Sequence, residues 1–369
     1  MTMVTRQNLM AEKTRFAISV GGVALSVFLI AFLLSLFRGW QLSVGRFVER
    51  VDADVWVARD GTTDFLNAAS VLPADMEAEL AALPGVAGVD AIIVRPMNVT
   101  AGDKEESMHL VGYEVDGGAG GPPKVTKGRG PPGPGEVIVD GAFADKAGVG
   151  IGDFLETSGQ RLEVTGISSG GNLIFSQTSF VSLDTARSLL SMDGLSTFFL
   201  IHLDEGADAE QVSGDVMAAV PIVGAFPSGE FADATRDRIM KNLIPILFVI
   251  LLLAFVVGVA ITGLTIYNAT VEKAREYGIL KALGFTNGYL FRLVLEQSMA
   301  TGILGFAFGA AATLVAAQFI ADVVPQFVTL LRWQDFVFVL VATVVMAAIA
   351  ALLPVRRLAS VDPVAVFSG

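Results

Sequence analysis

The chain has 369 residues, of which 53% are hydrophobic and 17% charged, with 39 Gly and no Cys. That is too apolar for an ordinary soluble domain, where about 25% of residues are charged, and too apolar for a disordered chain. The net charge of −12 offers no basic face for nucleic-acid phosphates, and the lack of Cys removes disulfides, thiolate metal sites and cysteine nucleophiles.

Residues 1–15 place Arg6, Lys13 and Arg15 ahead of an uncharged run over 16–37. A helix rises about 1.5 Å per residue, so this run matches a hydrocarbon core of about 30 Å. It exceeds a signal-peptide core of about 7–15 residues. No small-x-small site follows before Arg38-Gly39-Trp40, so it reads as an uncleaved first span.

Residues 38–241 hold 15 Lys/Arg and 30 Asp/Glu, a net −15, and read as one large solvated region of mixed α/β pattern. Residues 53–58 alternate as a strand. Residues 75–83 read as a short helix capped by Asp75 and stopped by Pro84-Gly85. Strands are expected at 89–99 and 108–115 around a turn at 101–106. The Gly/Pro-rich stretch 117–135 reads as a hinge that no packed element fits, separating two α/β lobes. Beyond it, strands are expected at 136–139, 154–157, 161–167, 180–183 and 198–203, and helices at 142–147, 184–190 and 209–220. His109 and His202 lie in no ligand spacing with another His or carboxylate, and Glu105-Glu106 and Asp204-Glu205 read as solvated turns. No Gly-x-Ser-x-Gly or His-Glu-x-x-His motif occurs. No catalytic residue, metal ligand or directly bound cofactor is assigned.

Three more uncharged runs follow, over 242–267, 297–321 and 336–355. Lys273, Arg275, Lys281 and Arg292 lie in the segment 268–296, and Arg356 and Arg357 in the tail 356–369, whereas the short loop 322–335 holds only Arg332. The positive-inside rule then puts both termini in the cytoplasm and 38–241 outside, with Trp40 and Trp333 as interfacial anchors. The expected fold is an α-helical membrane protein: four transmembrane helices, a large extracytoplasmic α/β domain between the first two, and a short cytoplasmic helix between the second and third.

In the third span, Thr301, Gly305, Gly309 and Thr313 recur every four residues on one face. Small residues there admit another helix closely, either from the same chain or from a second copy. The spans carry almost no charge, which disfavours an ion-coupled carrier. No Gly-Lys pair occurs, so the chain cannot bind ATP in the P-loop manner, and the energy for any active transport would arrive from elsewhere. Residues 271–283 fit a short amphipathic helix. Glu272, Arg275, Glu276 and Lys281 form its charged side, Tyr277, Leu280 and Leu283 its apolar side, and Gly284 sits where a C-terminal glycine belongs. A helix lying on lipid would be rich in Lys/Arg on its polar face; mixed charge suits a protein surface better.

The run Arg275-Glu276-x-Gly278-Ile279-Leu280-Lys281-Ala282-Leu283-Gly284 resembles the coupling segment of MacB/FtsX-type ABC transporter permeases. The C-terminal Pro354, Arg356, Arg357 and Asp362-Pro363 are similar to that family's ending, and residues 8–16 to its start. Residues 135–144 and 150–153 resemble a recurring element of its external domain, and the layout of spans matches over the whole chain. The resemblance implies a non-catalytic permease subunit in the cell membrane. Its partners would be a cytoplasmic ABC ATPase carrying ATP-Mg, a second permease copy in a homodimer or heterodimer, and a periplasmic adaptor or membrane-fusion protein. Arg275, Glu276, Gly278, Lys281, Ala282 and Gly284 would dock the ATPase, whose closure is relayed outward to export an amphipathic substrate by mechanotransmission. Thr301, Gly305 and Gly309 remain helix-packing or dimer candidates. Haem-exporter and DevC-like members are the nearest in character. A non-transporting lever that regulates a cell-wall hydrolase is the alternative function.

Overall fold

The computed structural model describes residues 13–65, 70–171, 177–323 and 328–359. Residues 39–242 form the core of one compact unit; 1–38, 243–323 and 329–369 form the other. Within the resemblance, residues 8–12 and 360–363 lie outside the described residues.

The α/β unit is built on a 10-stranded sheet. Its strands are β1 (Val55–Arg59), β3 (Val86–Ala101), β4 (Lys104–Tyr113), β5 (Val125–Gly128), β6 (Glu136–Asp140), β7 (Phe154–Thr157), β8 (Gln160–Ser168), β9 (Thr178–Ser182), β11 (Phe198–Leu203) and β12 (Val223–Pro227). The main path runs β12-β1-β11-β3-β4-β9-β6-β8-β5, with β7 pairing β3 and β8. Two short strands, β2 (Leu72–Pro73) and β10 (Leu195–Ser196), pair apart from it.

Two expectations are corrected here. The domain is not two lobes separated by a hinge, because β3 is 16 residues long and changes partner midway. Its first half pairs antiparallel with β11 as far as Ile92↔Phe198; its second half pairs with β4 from Ile93↔Gly112. The parallel pair β4–β9 then carries the sheet onward. The Gly/Pro stretch also holds a packed element, since β5 adds to the sheet edge beside β8. An edge strand needs only backbone partners on one side, so four residues without an apolar run suffice.

The β3–β4 hairpin closes through Gly102-Asp103, with Ala101 opposite Lys104. Gly102 takes φ +61°, the conformation a Gly-first two-residue turn requires. Strand β1 is buried on both faces rather than alternating with solvent. Val55 and Val57 join one core; Trp56 and Ala58 join the other. The helices α2 (Met76–Ala81), α3 (Gly141–Ala147), α4 (Leu183–Leu190) and α5 (Ala209–Ala219) contribute to the first core. Asp140 caps α3 by accepting the Ala142 N–H at 2.9 Å. Asp75, by contrast, makes no side-chain cap on α2. Its backbone is already helical (φ −65°, ψ −19°), whereas a capping residue is extended.

The second core is aromatic. Trp56 is fully buried, stacked on Phe231 with centroids 5.3 Å apart and edge-on to Phe65 and Phe198. Such pairs add about 0.5–1.5 kcal/mol each beyond their burial. Phe47 and Val48 reach this core from α1 (Lys13–Arg50), with Val51 just past its end, and Phe231 and Ala232 from α6 (Ser228–Glu272). The sheet therefore lies between two layers of helix.

Among the described residues four helices are long and apolar enough to cross a membrane: Phe16–Arg50, Ser228–Glu272, Asn287–Ile320 and Trp333–Leu352. The last two lie in α8 (Asn287–Val323) and α9 (Trp333–Ala359). The chain is a membrane protein with a mixed α/β domain after its first membrane helix. The helices run well past the uncharged runs. α6 begins at Ser228 because Phe231, Ala232 and Thr235 are buried within the α/β unit; the Thr235 hydroxyl accepts the Phe65 N–H at 3.2 Å.

Glycine lets the membrane helices approach. A Cβ on Gly305 of α8 would stand 2.5 Å from Val23 Cγ1, and one on Gly309 would stand 2.6 Å from the Ala24 carbonyl oxygen. Thr301 and Thr313 are buried, each with its hydroxyl bonded to the carbonyl four residues back. The Gly305/Gly309 face thus meets α1 of the same chain.

Candidate coupling site

The segment between the second and third spans folds as α7 (Ala274–Ala282), nine residues long. It starts one residue after α6 ends. Lys273 leaves the helical region (φ −94°, ψ 12°), so the chain turns out of α6 without a loop. Its end is set by Gly284 at φ +91°. The Phe285 N–H bonds the Leu280 carbonyl at 3.1 Å and the Gly284 N–H bonds the Lys281 carbonyl at 3.0 Å. These are the two bonds of a Schellman motif, and the positive φ is why glycine stands there. Thr286 then opens α8 by accepting the Tyr289 N–H on its hydroxyl.

Tyr277 anchors α7. It is 5% exposed and packs with Ile266, Leu290, Leu293, Val294 and Ala351, with Leu280 partly buried beside it. Gly278 is buried on that side, and Lys281 is half-buried. Arg275, Glu276, Ala282 and Gly284 are exposed.

The expected apolar side is corrected at one position. Leu283 is 71% exposed and does not join Tyr277 and Leu280. At about 100° per residue, Leu283 falls about 120° from Tyr277 and only about 20° from Glu276. Ile279, 42% exposed, lies on the same face, and Phe285 is exposed just beyond it. Neither Ile279 nor Phe285 belongs to the expected apolar side. A helical wheel carries the missing signal: from Tyr277 through Leu280 and Leu283 to Ile279 the apolar residues span an arc of about 160°, and only the Tyr277 end of it is covered.

The outer surface of α7 is therefore a charged shoulder, Arg275 and Glu276, beside an apolar patch of Ile279, Leu283 and Phe285. It holds no cluster that could do chemistry. Elsewhere, His202 Nε2 lies 2.8 Å from Asp90 Oδ2, a contact across 112 residues that sequence spacing cannot show. Among the described residues no group of three or more His, Asp or Glu side chains could hold a metal ion.

The chain matches the family model of the MacB-like periplasmic core domain over residues 16–219 and that of the FtsX-like permease C-terminal region over 248–363. It is 23% identical over 362 residues to an ABC transporter permease of Mycobacterium bovis, with 97% of each chain aligned. It is 23% identical over 206 residues to a protein of Staphylococcus epidermidis named as the hemin transport system permease HrtB, covering 54% of this chain and 53% of that one. The periplasmic region of MacB from Actinobacillus actinomycetemcomitans aligns with 53% of this chain and 95% of its own, at 11% identity and a TM-score of 0.38. The chain belongs to the MacB/FtsX-type ABC transporter permeases.

Proposed function

We propose that this permease couples ATP hydrolysis on a separate ATPase to export, and that α7 is where the ATPase docks. The observation that supports this most is the exposed face of α7. Tyr277 and Gly278 fix the helix from behind, while Ile279, Leu283 and Phe285 stay uncovered beside Arg275 and Glu276. An apolar centre with a charged rim is the composition of a protein–protein contact. Arg275 and Glu276 set its register, Lys281 and Ala282 border it, and Gly278 and Gly284 shape the helix. ATP-Mg binds on the partner, in keeping with the lack of any Gly-Lys pair here.

In this reading residues 1–15, 268–296 and 356–369 are cytoplasmic and 38–241 lie outside, which the Lys/Arg distribution supports. Because only Lys273 separates α7 from α6, a push on α7 passes directly into the 45-residue helix α6. Force then reaches the α/β domain along the helices, and the substrate need not pass between apolar spans. A second permease copy completes the transporter, and an amphipathic substrate is the class that such a route serves.

The test is the activity of the partner ATPase reconstituted with Glu276→Ala or Leu283→Asp permease. Each substitution is expected to lower permease-stimulated turnover by about tenfold or more, with normal permease expression. Unaltered stimulation in both would remove α7 as the docking element.

A further inference from the structure

At the end of its first span, α1 is tied to α9 and to the loop just before it by two contacts. The Leu330 N–H bonds the Ser35 carbonyl at 3.0 Å. One turn on, Arg38 Nη2 donates to Asp335 Oδ1 at 3.4 Å. The Asp335 side chain is 10% exposed, in the first turn of α9, where the helix N-terminus favours a carboxylate.

The pair is only half made. Asp335 Oδ2 is buried without a hydrogen-bond partner, and so is Arg38 Nε. Buried polar atoms are ordinarily satisfied, and those on a charged pair more than most. The two vacant atoms are complementary. Nε and Nη2 of one guanidinium and the two oxygens of one carboxylate make a side-on bidentate pair, shorter and stronger than the single contact.

We propose that Arg38 and Asp335 form a two-position clasp: a single contact in this state, and a bidentate one in another state of the transport cycle, reached by a small shift of α1 against α9. Both residues are positioning residues, and the clasp rests on the ABC-permease reading for its place in a cycle. Arg38→Lys separates it from a plain ion pair, because lysine keeps the charge and cannot bond side-on.

The chain has no Cys, so spin labels attach only where cysteines are introduced. Phe37→Cys with Gln334→Cys places one label beside each partner. In the assembled transporter, distances would be read without nucleotide and with ATP trapped. The expected result is a shift between two distances in the otherwise native protein and a single, nucleotide-independent distance in Arg38→Lys. Stimulated ATPase turnover should fall at least about threefold in Arg38→Lys, at unchanged melting temperature. One distance in both nucleotide states of the native protein overturns the clasp, as does native switching and turnover in Arg38→Lys. If the native chain stimulates no ATPase, the permease reading fails instead, and the label distances still decide whether the pair has two positions.

Discussion

Arg236 lies across Gly45. Its Nη2 occupies the space a Cβ on Gly45 would need, and the guanidinium is held there by the Gln41 carbonyl at 3.1 Å from Nε and by Glu49 at 2.7 Å from Nη2. Asp233 bonds the same group from its own helix. Within the α/β unit, Gly45 is thus the socket through which the α1 segment meets α6.

This contact fixes the sign of a substitution that helix propensity would get wrong. Alanine in place of glycine usually stabilises a helix by roughly 0.5–1 kcal/mol. Gly45→Ala is expected to destabilise instead, because it displaces Arg236 from its bonds; a fall of about 2–6 °C in melting temperature is expected. In an Arg236→Ala background the same change should raise the melting temperature. Paired thermal melts of the purified chain decide it, and the same sign in both backgrounds would refute the socket.

A second prediction concerns the membrane helices. Gly309→Leu must push against the Ala24 carbonyl, which is backbone and cannot swing aside. Gly21, on α1, has nothing within 4 Å of its Cβ position. Gly309→Leu should therefore abolish most of the folded yield, a cost of several kcal/mol for overpacking, while Gly21→Leu leaves it within about twofold. Detergent-solubilised, monodisperse protein is the readout.

The contrast between these glycines marks what the sequence can show. The four-residue spacing of Thr301, Gly305, Gly309 and Thr313 announces a close helix contact, because small residues on one face have few other uses in lipid. It does not name the partner, and only the fold shows α1 there. The spans and most strands were legible for the same reason: hydrocarbon thickness and period-two alternation act locally. Sheet order was not. Nothing local in β3 says that it changes partner between Ile92 and Ile93, so one continuous sheet reads as two lobes. At α7 the Arg-Glu-x-Gly pattern and Gly284 located the element, but the burial of Tyr277 rather than Leu283 depends on Ile266, Leu290 and Ala351 from other helices.

A third prediction uses pH. Burial, followed by the charges of Glu77 and Asp90, holds the Glu114 carboxyl above its ordinary value, against the pull of the Ala91 N–H and Arg187. A raised carboxyl contributes stability below its unfolded pKa and loses it as pH rises through the folded value. Glutamine imitates the protonated form. Glu114→Gln should raise the melting temperature at pH 7.5, by about 2 °C, and the gain should vanish below about pH 4. A gain that persists at acid pH would point to packing rather than charge.

A fourth concerns the end of α7. Gly284→Ala places a Cβ on a residue at φ +91° and should loosen the Schellman turn by about 1 kcal/mol. Asn tolerates the left-handed region better than Ala. If the turn matters only for aiming Leu283 and Phe285, stimulated ATPase turnover should fall in the order Gly, Asn, Ala, with the overall melting temperature nearly constant. Equal turnover in all three would separate the turn from coupling.

The central claim is that the outer face of α7 meets an ATPase, and photocrosslinking from position 283 in native membranes tests it most directly. A benzophenone amino acid at Leu283 should capture, in high yield, a polypeptide carrying a Walker A motif, and the same probe at Tyr277 should not. Capture of lipid alone from position 283, with the transporter intact, would contradict the account.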